Sequence, residues 1–90
     1  MTEVVLFSRE GCSPCVHAGD ALRRLGREFA FELRERDVDA DPALAARYGD
    51  RVPVIAVEGR EVSEGRIDTG AVRRALAEAG RAVDSNSGRS

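Results

Sequence analysis

The chain has 90 residues, a formal net charge of −2 at pH 7, and charged and hydrophobic fractions of 33% and 42%. This length fits one small domain, and these fractions are typical of a globular protein rather than of a disordered or membrane-spanning one. The slight negative charge and the few aromatic side chains, three phenylalanines and one tyrosine, argue against nucleic acid and against an anionic membrane as partners.

The N-terminal segment passes from Met1, Thr2 and Glu3 directly into apolar residues. It lacks the basic region and the long apolar region of a signal peptide, and no apolar stretch of the sequence approaches membrane-spanning length. We therefore expect a cytoplasmic protein. In that compartment a cysteine pair is normally reduced, and it is more often catalytic or metal-binding than structural.

The first half of the chain predicts two strands separated by a helix. Glu3–Ser8 is an apolar run of the kind found in strands covered on both faces. A helix is predicted from Ser13 to about Leu25, and Phe29 begins an alternating pattern that predicts an edge strand to Asp37 or Val38. The inner face of this helix is expected to carry Val16, Ala18, Ala21, Leu22 and Leu25.

A short helix and a hairpin are predicted next. Asp41 as N-cap and Pro42 at the first helical position indicate a helix over Pro42–Tyr48. The apolar strand Val52–Val57 is followed by a tight turn and the short strand Glu61–Glu64, a pattern typical of an antiparallel hairpin.

The chain ends with a predicted helix and a tail. The helix runs from Thr69 to Ala79, with Asp68 as its cap and Gly80 at its end. Residues 81–90 show no periodicity, and we expect them to be an unstructured tail. Residues 1–80 therefore form the single predicted domain.

The predicted order β-α-β-α-β-β-α indicates an α/β protein with one mixed sheet. Right-handed crossovers place the first strand in the centre, with the second parallel to it on one side and the third on its other side. The hairpin then adds the fourth strand antiparallel. The expected strand order is 2-1-3-4, with three flanking helices.

The chemistry is expected at Cys12-Ser13-Pro14-Cys15, which holds the only cysteines of the chain. This segment joins the first strand to the first helix, where free backbone N–H groups and the helix dipole stabilise a thiolate at Cys12. Cys15 lies one turn further, as suits a resolving thiol, and Pro14 is tolerated because the first turn has no acceptor for its missing N–H.

Two other interpretations of the cysteine pair stay open at this point. The pair could be half of a zinc site, or it could be two inert thiols. Zinc requires four ligands, and His17 alone could add another nitrogen or sulfur, so the spacing beside a βαβ pattern favours redox chemistry.

Val52-Pro53 opens an apolar strand, where a trans proline would remove a ladder hydrogen bond. A cis Val-Pro bond would bend the chain and bring the Val52 backbone towards the cysteine loop. That backbone could then pair with an extended substrate. A trans proline at the first position of the strand is the alternative.

These motifs resemble the glutaredoxin-like members of the thioredoxin superfamily over about residues 2–80. The resemblance is carried by VVLFSREGCSPC, by the segment Asp39–Gly49, by Val52-Pro53 and by the glycine of the hairpin. It implies the thioredoxin-like fold and dithiol–disulfide exchange in which Cys12 attacks and Cys15 resolves, with Pro53 cis.

The resemblance also implies roles for neighbouring residues. Arg9 stands where glutaredoxins carry a basic residue that helps to hold the thiolate and a glutathione carboxylate, and Val52 stands where the backbone pairs with the glutathione cysteine. Ser13 and Pro14 complete the motif, although proline before the second cysteine is the thioredoxin arrangement. Two positions depart from the glutaredoxin pattern: Arg51 replaces a threonine, and Ser63–Ile67 lacks the usual glycine pair.

We therefore expect a monomeric thiol–disulfide oxidoreductase that reduces protein or small-molecule disulfides. It requires no metal or organic cofactor, and a low-molecular-weight thiol or a flavoprotein reductase would recycle it. Two alternatives from other classes are an iron–sulfur or metal carrier that bridges two chains through Cys12, and a redox-sensitive interaction module without turnover.

Overall fold

The computed structural model describes residues 1–80 in full and residues 81–89 as backbone within the last helix. Its order is β-α-β-α-β-β-α, as predicted, with a short 3-10 helix at Val38–Ala40. The last helix was predicted to end at Ala79 and Gly80, but its backbone continues to Arg89, because one glycine weakens a helix without having to end it. The predicted tail over residues 81–90 otherwise lies outside the residues described in full. The elements are β1 (Thr2–Ser8), α1 (Ser13–Leu25), β2 (Phe31–Asp37), α2 (Pro42–Tyr48), β3 (Val54–Val57), β4 (Arg60–Glu64) and α3 (Thr69–Arg89).

The four strands form one mixed sheet in the order β2-β1-β3-β4, which confirms the predicted order. β1 is parallel to β2, in a register that pairs Thr2 with Phe31 and Ser8 with Asp37. β4 is antiparallel to β3 across the Glu58-Gly59 turn. Both turn residues have positive φ, of 51° and 80°, the backbone conformation that a two-residue hairpin loop requires.

The direction of β3 differs from the prediction. A second crossover would make β3 parallel to β1, but β3 is antiparallel to it, with Val54 opposite Phe7 and Val57 opposite Val4. The reason is the length of α2. Its seven residues extend about 10 Å, whereas the seven residues of β1 extend about 23 Å. The helix cannot return the chain along the sheet, so β3 starts at the end where β2 stops.

β3 also begins later than predicted. The strand was predicted over Val52–Val57 with an interruption at its start by Pro53, and regular pairing starts at Val54. Pro53 has no N–H to donate to a neighbouring strand, so it lies just before the ladder rather than within it.

Side chains from the two faces of the sheet form two apolar clusters. Val4 and Leu6 of β1 pack with α1 and α3 in the larger cluster. Phe7, on the other face, packs against the smaller cluster with Val38, Tyr48 and Val54. The sheet therefore lies between two helical layers, with α1 and α3 on one face and α2 on the other.

One residue of the predicted inner face of α1 is on its outside. Val16 is 62% exposed, whereas Ala18, Leu22 and Leu25 are buried. At about 100° per residue, Val16 is rotated by roughly 120° from Leu22 around the helix axis. This rotation places Val16 at the edge of the cysteine segment rather than in the core.

Candidate active site

The cysteine segment begins where β1 ends. Gly11 has a φ of +77°, a left-handed conformation that turns the chain into α1 and that glycine adopts without strain. Cys12 is the N-cap of α1 in an extended conformation. Its carbonyl oxygen accepts hydrogen bonds from the amides of Cys15 and Val16 at 3.1 and 3.2 Å. The sequence thus makes Cys12 the residue at which the helix starts.

The two cysteines differ in exposure and are joined in the structure. Their sulfurs form a disulfide, and their Cα atoms are 5.2 Å apart. Cys12 is half-buried, whereas Cys15 is only 4% exposed. The amide of Cys15 donates a hydrogen bond to the sulfur of Cys12 at 3.2 Å. The start of a helix favours negative charge, so a thiolate formed at Cys12 on reduction of the disulfide would be stabilised at this position.

Ser13 and Pro14 occupy the first turn of α1, and both are exposed. The proline lies within the first two positions of the helix. A backbone N–H at these positions has no helical carbonyl to bind, so the missing N–H of proline costs no hydrogen bond. His17 is also exposed on α1. Among these three residues, Ser13 lies against the cavity described below.

Arg9 is bound to residues outside the cysteine segment. Its Nε and Nη2 atoms donate to the carboxylate of Asp39 at 3.1 and 2.9 Å, and its Nη1 donates to the carbonyl oxygen of Gly49 at 3.0 Å. The hydrogen bond from Arg9 lowers the pKa of Asp39. Arg9 therefore fastens the end of β1 to α2, and its fork of donors already holds a carboxylate.

Val52 and Pro53 lie at the same end of the sheet as the cysteines. The bond between them is cis, Pro53 is buried and Val52 is half-buried. Val54, the next residue, pairs with Phe7 near the carboxyl end of β1. The antiparallel course of β3 thus brings this dipeptide to the end of β1 that leads into the cysteine segment.

Arg51, which precedes this dipeptide, is held by the hairpin and by α2. Its Nη1 donates to Glu61 and Glu64 at 2.9 and 3.2 Å, and its Nη2 donates to the carbonyl oxygen of Arg47 at 3.0 Å. The hydrogen bond to Glu61 raises the pKa of Arg51. Like Arg9, this guanidinium is occupied by carboxylates of the chain itself.

A cavity of about 780 Å³ borders the disulfide on the side of β2; we call it the β2-side cavity. Besides residues 9–13, Cys15 and Val16, it is lined by Ser8, Gly19, Arg23, Glu35 and Asp37. Ser8 is 7% exposed, and its hydroxyl donates to Glu35 at 3.1 Å. None of these five residues was predicted as part of the site. The sequence signal that could have identified Glu35 and Asp37 is the alternation of side chains along β2, which places both on the same face as Phe31 and Leu33.

Two kinds of feature are missing from the described part of the chain. Within it, no helix is long and apolar enough to cross a membrane. No three histidine, cysteine, aspartate or glutamate side chains of these residues are grouped so that they could hold a metal ion.

Residues 3–77 match the family model described as "Glutaredoxin-like domain (DUF836)". Uncharacterized proteins of Mycobacterium bovis and Mycobacterium tuberculosis are 36% identical to the chain over 80 residues, which is 83% of this chain and 82% of theirs.

Solved structures show the same fold. A protein of Nitrosomonas europaea solved by NMR has a TM-score of 0.75 and 31% identity, covering 83% of this chain and 91% of its own. A protein from X. campestris has a TM-score of 0.67 and 33% identity, with coverages of 83% and 96%. A thioredoxin mutant from Halobacterium salinarum has a TM-score of 0.65 and 27% identity, with coverages of 86% and 73%.

Proposed function

Because this chain belongs to the family of glutaredoxin-like domains, we propose that it is a thiol–disulfide oxidoreductase. Its cysteine pair acts as a dithiol that reduces disulfides of proteins or small molecules. The thioredoxin-like fold and the pairing of Cys12 with Cys15 support a redox function.

One observation carries this proposal. The half-buried Cys12 starts α1 and accepts a hydrogen bond from the Cys15 amide, while the Cys15 sulfur is buried within bonding distance of Cys12. A nucleophilic thiolate needs both exposure and stabilisation of its charge, and a resolving thiol needs proximity and protection from the substrate.

The reaction begins from the reduced dithiol. The Cys12 thiolate attacks one sulfur of the substrate disulfide; a Cys12–substrate disulfide forms, and the other substrate sulfur leaves as a thiolate that takes up a proton. The Cys15 thiol then loses its proton and attacks the Cys12 sulfur. The Cys12–Cys15 disulfide forms and the second substrate thiol is released, so two electrons pass from the protein to the substrate.

A further reductant must return two electrons and two protons to the Cys12–Cys15 disulfide. We propose that a low-molecular-weight thiol or a flavoprotein reductase supplies them, and that the protein acts in the cytoplasm, where such reductants keep thiols reduced. Val52 and Pro53 lie at the same end of the sheet, and the Val52 backbone is proposed to pair with an extended substrate.

Single cysteine variants test the proposal. Cys15→Ser is expected to accumulate a mixed disulfide between Cys12 and a protein substrate such as insulin, because nothing resolves the first intermediate. Cys12→Ser is expected to form no mixed disulfide and to lose reduction of insulin, measured by turbidity with dithiothreitol as the reductant. The proposal is wrong if Cys12→Ser keeps full activity. Stoichiometric reaction of the wild-type dithiol without repeated turnover would instead indicate an interaction module.

A further inference from the structure

The β2-side cavity places charged side chains beside the disulfide, and carboxylates outnumber guanidinium groups among them. Three carboxylates line it, those of Glu10, Glu35 and Asp37, together with the guanidinium groups of Arg9 and Arg23. Arg9 is paired with Asp39, from outside the cavity. Arg23 is 3.5 Å from Asp20, also outside it.

The carboxylates lack a close ion pair of this kind, although Asp37 adds, after Asp39, to the attraction that raises the pKa of Arg9. Within residues 1–80, none of the three forms an ion pair with an arginine. Glu35 accepts a hydrogen bond from Ser8 through Oε2, and Asp37 accepts one from the Asp39 amide through Oδ1. The second oxygen of each receives none from these residues. Both side chains are exposed, so water and any ligand in the cavity can reach them.

Their position in β2 is unusual for acidic residues. They continue the face on which Phe31 and Leu33 pack against the core, while Arg34, on the other face, pairs with Glu3 and Glu32. Asp37 caps the 3-10 helix through its bond to the Asp39 amide, a role that asparagine also fills. The hydrogen bonds that Glu35 and Asp37 accept therefore do not by themselves require a negative charge.

The cavity also offers an apolar surface. Val16 lines it and is 62% exposed; in the described part of the chain the only other large apolar side chain so exposed is Met1, at 88%. A substrate disulfide that reaches Cys12 through this cavity therefore meets an apolar side chain beside the sulfur and carboxylates beyond it.

We propose that the β2-side cavity selects disulfides that are flanked by lysine or arginine side chains, and that Glu35 and Asp37 are the residues that determine this specificity. The inference rests on the proposed function. The occupant is a polypeptide segment with a cation next to the disulfide cysteine. Anionic small disulfides, including glutathione disulfide, are disfavoured because carboxylates outnumber guanidinium groups in the cavity. In addition, Arg9 and Arg51 are already bound to carboxylates of the chain.

Two peptides that differ only in charge test the inference. Both contain the same disulfide, which is flanked by lysines in one and by glutamates in the other, and kcat/KM is measured for each with the wild-type chain. The wild type is expected to prefer the lysine peptide, and this preference should shrink as sodium chloride is added because salt screens exposed charges.

The double variant Glu35→Gln with Asp37→Asn is expected to reduce the preference by about three- to tenfold, as expected for two exposed charge pairs. The matched control is Glu32→Gln, which makes the same kind of change in the same strand but on the opposite face. It is expected to keep the wild-type preference. A thermal melt of each variant reports whether it is folded.

The outcomes separate the two proposals. Equal kcat/KM for both peptides at low salt, or a preference that the double variant and Glu32→Gln alter to the same extent, would overturn the role of the cavity and leave the proposed function standing. Failure of the wild type to reduce either peptide would overturn the proposed function itself.

Discussion

Arg9 shows how a residue beside a reactive pair can have a structural role. Its three hydrogen bonds to Asp39 and Gly49 join the end of β1 to the segment around α2. A bidentate arginine–carboxylate pair has a fixed geometry, so Arg9 sets where the loop before the cysteines begins.

The Arg9–Asp39 pair makes the stability of the fold depend on acid pH. The hydrogen bond from Arg9 holds the pKa of Asp39 below its ordinary value of 3.8. The pair therefore stabilises the folded chain fully above that value, and its contribution is lost as the pH falls from 3.8 through the lowered pKa.

Urea unfolding across this range checks the expectation. The wild type should lose free energy of unfolding as the pH falls, and Asp39→Asn should lose less because it has no carboxyl to protonate. Arg9→Lys, which keeps the charge but lacks the fork, should lie between them. If Asp39→Asn shows the full slope of the wild type, the pair does not act as described.

At the scale of single elements, the Glu58-Gly59 turn can be tested separately from the site. Gly59 has a φ of +80°, and no atom lies within 4 Å of the place that an alanine Cβ would take, so Gly59→Ala costs conformational strain and no clash. We expect a loss of about 1 kcal/mol of stability, measured by urea unfolding.

Gly70→Ala is the matched control for this substitution. Gly70 lies in the first turn of α3 without a positive φ, and a Cβ there would make ordinary contacts of 3.4 and 3.5 Å. Alanine is favoured over glycine in a helix, so Gly70→Ala should be neutral or stabilising by up to about 1 kcal/mol. Equal losses in the two variants would mean that backbone conformation is not the cause.

Local signals predicted the elements well because capping acts over three or four residues. The Ala43 amide donates to Asp41 at 2.9 Å, and the Ala71 amide donates to Asp68 at 3.0 Å, so both predicted caps are confirmed. The antiparallel direction of β3 was missed because apolar alternation is the same in either direction. Only the short length of α2 contained that information.

At the scale of the whole molecule, the two apolar clusters differ in size. The cluster beneath α1 and α3 includes Leu6, Leu22 and Ile55, all fully buried, whereas the one beneath α2 has Val38, Tyr48 and Val54 as its buried members. Less apolar burial leaves less free energy to oppose local opening.

We therefore expect α2 to open without global unfolding. Native-state hydrogen exchange followed by NMR should give lower opening free energies for amides of α2 than for those of β1. If both sets of amides exchange only through global unfolding, the smaller cluster is as cooperative as the larger one.

The candidate site could be predicted only where its residues are close in the sequence. Cys12 and Cys15 were found from their spacing at the start of a helix. Glu35 and Asp37 were not, because their proximity to Cys15 depends on the register between β1 and β2 and on the face of β2 that α1 leaves uncovered. Both are set by tertiary packing rather than by any short motif.

The reacting groups and the hairpin turn lie at opposite ends of the sheet, and this separation has a practical use. The amide of Glu3 donates to the Glu58 carboxylate at 3.3 Å, so the turn lies near the start of β1 and Cys12 lies beyond its end. The strand between them spans about 23 Å. A fluorophore or a surface linker attached at Glu58 would therefore orient immobilised molecules with their disulfide facing the solution.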